Sequence, residues 1–167
     1  GRQELFIWDD RFIRVIPESL AVVYPEGAGM FAVDFSIRFT ADDPFFEAKN
    51  ASQVLNLVSQ LVLNTGNAPA WPVFSVTVMG TLTSLVLKNE TFSKTLTLAG
   101  SMTGGILESD MLNKTIKQDG LDKMAWLSSG DVFSIEAAPI ATDGKNLLSQ
   151  TNDASVVCLV TWRSRWL

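Results

Sequence analysis

Histidine is absent from the 167 residues. That removes Ser-His-Asp and Cys-His nucleophile activation, HExxH zinc sites and most general-base chemistry near neutral pH, and it leaves only carboxylates for acid-base work. Cysteine occurs once, as Cys158 inside the apolar run Val156-Val157-Cys158-Leu159-Val160. An internal disulfide is therefore excluded, and a buried, inert thiol is the expectation. No apolar run approaches the roughly 20 residues a membrane helix needs, so no membrane insertion is expected. Basic clusters are lacking too: 13 Lys and Arg stand against 18 Asp and Glu, for a net charge of −5. Phosphate neutralisation requires clustered cations, so nucleic acid is not an expected partner.

What is present is a folding sequence, 47% hydrophobic and 19% charged, long enough for one good core or for one domain plus part of another. The chain starts at Gly1 rather than Met, which suggests a segment of a longer protein or a processed start. Its most informative stretch is Asn64-Thr65-Gly66-Asn67-Ala68-Pro69-Ala70-Trp71-Pro72. Gly66 is expected to supply a positive φ, Asn64 and Asn67 can bond their own backbone, and Pro69 and Pro72 force extended neighbours. The result is a rigid corner feeding Val73-Phe74-Ser75-Val76-Thr77-Val78-Met79, whose period-2 pattern reads as a strand. Trp71, between two prolines, is either a stacking platform for a ligand or a plug at the end of a sandwich.

Before the corner, residues 5–8 and 11–16 read as a hairpin around Asp9-Asp10, with Pro17 ending or edging the second strand. A strand follows over 20–24, and then the glycine-rich loop Pro25-Glu26-Gly27-Ala28-Gly29, which lacks the features of a phosphate cradle. Residues 31–40 alternate cleanly and predict a long half-buried strand. It stops at Asp42-Asp43-Pro44. These two acids with Glu47 could be imagined as a metal or acid-base site, but an Asp-Asp-Pro strand-end turn accounts for them. Residues 49–60 read as a linker leading into a strand at 60–63. After the corner, short strands are predicted at 85–87, 95–98, 107–109, 115–117, 132–135 and 156–162, separated by turn signals that include Ser128-Ser129-Gly130-Asp131 and Asp143-Gly144. Many short strands at this spacing mean an all-β antiparallel sandwich. Residues 139–146 read as a surface loop. The closing Trp162-Arg163-Ser164-Arg165-Trp166-Leu167 is rich in aromatics and arginine, so Trp162, Arg163, Arg165 and Trp166 are candidate interface residues, for intramolecular docking or for a subunit contact.

These motifs, in this order, resemble the distal tail protein family of long-tailed bacteriophages and prophages. Asn64-Thr65-Gly66-Asn67 with Ala70-Trp71-Pro72 is similar to that family's approach to its C-terminal domain. Residues 33–39 with Asp43-Pro44-Phe45 resemble the strand that ends its N-terminal domain. Gly105 to Asp110 with Lys114-Thr115-Ile116 and Asp119-Gly120 is similar to its central hairpin, and residues 162–167 to its closing motif. The resemblance implies a galectin-like β-sandwich over 49–167, preceded over 1–48 by the last strands of an N-terminal belt domain, most of which would lie ahead of Gly1. It further implies a structural role at the virion tail tip, after assembly in the bacterial host cytoplasm. There a hexameric ring of copies would join the tail tube to other tail proteins, with no enzyme activity, cofactor or metal.

The alternative is a carbohydrate-binding β-sandwich that aids attachment to the host cell surface. It would stack sugar on Trp71 or Trp126, or on Trp162 or Trp166. Galectins share a His-Asn-Arg set and a Trp-x-x-Glu-x-Arg motif, and a chain without histidine cannot carry that site. A glycosidase would need two carboxylates facing across a cleft, and no spacing here announces such a pair.

Overall fold

The alternation at the corner's exit sets the architecture. In the computed structural model, which describes residues 2–23, 34–138 and 142–167, Phe74, Val76 and Val78 are buried while Ser75, Thr77 and Met79 are not. The start of the predicted 31–40 strand, Tyr24, the glycine-rich loop 25–29 and residues 139–141 lie outside the described residues. The chain divides into two compact units, Gly1–Lys49 and Asn50–Trp166.

In the first unit, β1 (Gln3–Trp8) and β2 (Arg11–Val23) form the expected hairpin, with register running from Gln3↔Val15 to Phe6↔Phe12. Phe12 and Val15 are buried, and the Phe6 and Phe12 ring centroids lie 5.6 Å apart. β2 continues through Pro17 instead of ending there. It pairs onward with β3 (Asp34–Thr40), and the register shifts between Pro17 and Ser19, the kind of irregularity at which strands accommodate proline. β4 (Phe46–Ala48) pairs with the start of β2 and brings buried Glu47 to 3.0 Å from Arg14. β3 departs from expectation, because every one of its residues is exposed rather than half-buried. Phe35, Ile37 and Phe39 do alternate along the strand, and all three are exposed.

The second unit is a two-sheet sandwich. Its strands are β5 (Ser52–Val54), β6 (Ser59–Leu63), β7 (Val73–Val78), β8 (Thr81–Asn89), β9 (Lys94–Thr103), β10 (Ile106–Asp110), β11 (Thr115–Gln118), β12 (Leu121–Asp122), β13 (Leu127–Gly130), β14 (Lys145–Asn152) and β15 (Val156–Trp162). One sheet has the order β12-β11-β10-β7-β15-β5 and the other β13-β9-β8-β14-β6, with antiparallel pairing throughout. Between them sit Leu82, Leu85, Leu87, Leu96, Leu98, Leu107, Leu148, Val160 and the β7 apolar face. Each such side chain contributes about 1.5–3 kcal/mol relative to exposure.

Three assignments change. The loop expected over 139–146 gives way to strand at Lys145, where β14 opens and pairs with β6. Residues 132–135 are not a strand; they make an isolated bridge, Ala70↔Ile135. Ser128, Ser129 and Gly130 are not a turn but the bulged edge strand β13, where Gly130 at φ +87 lies against the Thr95 carbonyl.

Candidate functional site

Asn64 shows why the corner is rigid. Its buried side chain donates from Nδ2 to the carbonyls of Ala68 (2.8 Å) and Ile135 (2.9 Å), and its Oδ1 accepts from the Gly66 N–H (3.0 Å). One asparagine therefore ties the turn to itself and to a distant segment. The corner also grips residues 162–165. The N–H groups of Asn67 and Ala68 donate to the Arg165 carbonyl at 3.0 and 3.1 Å, and the Ser164 hydroxyl accepts from the N–H and hydroxyl of Thr65, both at 3.1 Å. The Trp162 indole N–H donates to the Leu63 carbonyl at 3.1 Å. Gly66 has no positive φ, contrary to the sequence reading. It is glycine because a Cβ there would lie 2.0 Å from the Arg165 oxygen. These contacts form a clasp between two sequence motifs.

Of the candidate interface residues, Trp162 (6% exposed) and Arg165 are thus buried at the clasp, and Arg163 and Trp166 are half-buried. The two candidate stacking tryptophans occupy different settings. Trp126 closes a 3-10 turn, Met124–Trp126, and lies so close to Gly100 that a Cβ there would come within 2.1 Å of its ring. The Lys123 ammonium stands 5.2 Å from the same ring's centroid, a cation–π contact. Trp71 instead lines a groove of about 270 Å³ with Phe92, Lys94, Val132, Phe133, Ser134 and Glu136.

The groove follows from local structure. Ala70 and Ile135 exchange backbone hydrogen bonds of 3.0 and 2.7 Å, which bring residues 132–136 beside Trp71. Two fully buried asparagines hold that irregular segment: Asn89 Nδ2 donates to the Ser134 carbonyl (3.0 Å), and Asn146 bonds both the N–H (3.0 Å) and the carbonyl (2.9 Å) of Glu136. The two asparagines are joined at 3.0 Å, Nδ2 of Asn89 to Oδ1 of Asn146. Sequence reading missed both, since a buried polar residue breaks an apolar alternation.

The remaining chemistry is structural. Asp42 pairs with Arg2 at 2.8 Å, Asp43 Oδ1 accepts from the Phe45 N–H, and Glu47 pairs with Arg14. Those three acids thus serve a turn and two ion pairs. Among the described residues no three of His, Cys, Asp and Glu cluster as a metal site would require. Burial pushes the Cys158 thiol up to about 12, so it stays protonated and unreactive. No described helix is long and apolar enough to cross a membrane.

Comparison with known proteins now bears on these features. The family model described as "Siphovirus-type tail component, C-terminal domain" matches residues 65–166, more than half of the chain and from one side of the clasp to the other. The chain belongs to the siphovirus-type tail component family. This tail component is also similar in fold to the crystal structure of SPP1 Dit (gp 19.1), titled a paradigm of the hub adsorption apparatus in phages infecting Gram-positive bacteria. The TM-score is 0.71 at 16% identity, over 96% of this chain and 62% of that one, so the chain spans under two thirds of that protein's length. Comparison with curated proteins finds no match.

Proposed function

We propose that this tail component is a structural hub at the phage tail tip, where its first unit contributes to a ring of identical copies and its sandwich supports the neighbouring tail proteins. Family membership supports the tail assignment, and one observation carries the ring. β2 and β3 pair so that Pro17 faces Phe39, Leu20 faces Ile37 and Val22 faces Phe35, and residues directly opposite share a face. Leu20 is 64% exposed and Phe35 70%, with Val22, Ile37 and Phe39 also exposed. Together these side chains offer roughly 500 Å² of apolar surface, as large as the biggest patches ordinary monomers tolerate. Covering it would contribute up to about 12 kcal/mol before the costs of association. A two-stranded arm with one apolar face is stable when another layer lies on it, and in a ring each copy would cover this face with a different surface of its neighbour, a head-to-tail contact that closes on itself. The six-fold count follows the distal tail resemblance.

Light scattering tests this. The chain is expected to form a discrete oligomer that survives high salt, because the contact is apolar, and the double variant Leu20→Lys, Phe35→Lys should reduce it to a monomer with an unchanged fold by circular dichroism. An oligomer of unchanged mass in the double variant would overturn the role of this face.

A further inference from the structure

We propose that the groove beside Trp71 is a saccharide subsite that accepts one pyranose ring, neutral or N-acetylated. Four observations lead there, none of which depends on the hub reading. Trp71, from the corner, and Phe92, at the end of the 3-10 turn Glu90–Phe92, both line the groove, and the C–H faces of a sugar ring are the polar-ligand surfaces that aromatic side chains cover best. The same lining carries one carboxylate, Glu136, and one ammonium, Lys94, neither of which joins an ion pair among the described residues. One acceptor and one donor of opposite charge suit neighbouring hydroxyls, which both donate and accept, and they favour neither an anion nor a cation.

Size agrees with this choice. A volume of about 270 Å³ falls just below the range of drug-sized ligand sites, roughly 300–1,000 Å³, and therefore suits a single ring rather than a chain. The polar wall is also held in place before any ligand arrives. The Ser134 hydroxyl donates to the Glu136 carboxylate, and the backbone of both residues is bonded from behind by buried Asn89 and Asn146. The amide nitrogen of Asn89 and both polar atoms of Asn146 are engaged in this way, and they fix an irregular segment that a plain strand would not need. Trp71 is set between Ala70, bridged to Ile135, and Pro72, whose φ is locked. Preorganisation of this kind lowers the entropy lost on binding.

The experiment uses the full chain with 15N-labelled tryptophan, titrated with glucose, galactose, N-acetylglucosamine and N-acetylgalactosamine, and with glycerol as a polyol control. The expected result is a saturable shift of the Trp71 indole resonance for at least one sugar, with a Kd of about 1–10 mM and no such shift with glycerol. Phe92→Ala and Glu136→Gln, each checked for an unchanged urea midpoint, should weaken that binding at least tenfold, while Trp126→Phe leaves it unchanged. The proposal fails if no sugar gives a saturable shift up to about 50 mM, if glycerol shifts the resonance equally, or if Phe92→Ala and Glu136→Gln bind as the parent does.

Discussion

Gly66→Ala separates two opposite physical effects. Gly66 has no positive φ, so alanine can adopt its backbone conformation, and on unfolded-state entropy alone the change should stabilise by about 0.4–1 kcal/mol. Its new Cβ, however, would meet the Arg165 carbonyl oxygen at 2.0 Å, the nitrogen at 2.7 Å and the carbonyl carbon at 2.8 Å. All three are backbone atoms, so no rotamer change relieves the clash, and residues 164–165 must move off the corner. Four hydrogen bonds cross that seam: Asn67 and Ala68 to the Arg165 carbonyl, and two from Thr65 to Ser164. At about 1 kcal/mol net each, and with the entropic gain subtracted, the loss is about 3 kcal/mol. Gly80→Ala is the matched control, since no atom lies within 4 Å of its Cβ and its φ is not positive either; it should gain about 0.5 kcal/mol. Urea unfolding followed by tryptophan fluorescence, with thermal melts beside it, measures both. Gly66→Ala should lower the melting temperature by about 10 °C. Equal stability of Gly66→Ala and the parent protein, or an equal loss in both glycine variants, would refute the close-approach explanation.

Three further outcomes follow from the same geometry. Asn146→Ala should cost about 4 kcal/mol in a urea titration, because it strips partners from the Glu136 N–H and carbonyl, the Gly144 carbonyl and Asn89 Nδ2 at once; a cost below 1 kcal/mol would mean that water replaces the network. Hydrogen bonds from the Thr83 hydroxyl and from the N–H groups of Thr83 and Ser84 hold the Asp153 carboxyl down at about 2 rather than 3.8. A depressed carboxylate stabilises the fold above its ordinary value and ceases to do so as pH falls through about 2. The stability gap between the parent and Asp153→Asn should therefore close between pH 4 and pH 2, and a gap constant over that window would contradict the assignment. Cys158 should react with a thiol reagent only as fast as the chain unfolds, so rapid modification of the native protein would show that the thiol is accessible.

The all-β class and the sandwich were legible because apolar residues at alternate positions, as in Phe74, Val76 and Val78, report a one-sided sheet. The pattern failed where burial and polarity part company. β14 opens with Lys145 and buried Asn146, a polar pair that reads as the end of the 139–146 loop. Residues 132–135 erred the other way: Val132, Phe133 and Ile135 are spaced like a strand, but Asn89 and Asn146 bond the Ser134 and Glu136 backbone in place of a ladder. Gly66 was recognised as special for the wrong reason, because the atom that demands it belongs to Arg165 and proximity across the fold has no local signature. The groove beside Trp71 was visible only as a tryptophan between prolines, since its other walls come from residues 92–94 and 132–136.

The clasp also sets a schedule. Thr65 and Ser164 are 99 positions apart, so during vectorial synthesis the corner emerges from the ribosome long before the residues that close it. Until then the Asn67 and Ala68 N–H groups lack their partner carbonyl, and Leu63 its indole. β15, which lies between β7 and the edge strand β5, is likewise still to be made, so β7 has its β10 neighbour but leaves its other edge open. A nascent chain in that interval is a half-sheet with a sticky border in a crowded cell, and its safe passage depends on how quickly translation delivers the stretch from Val156 to Arg165.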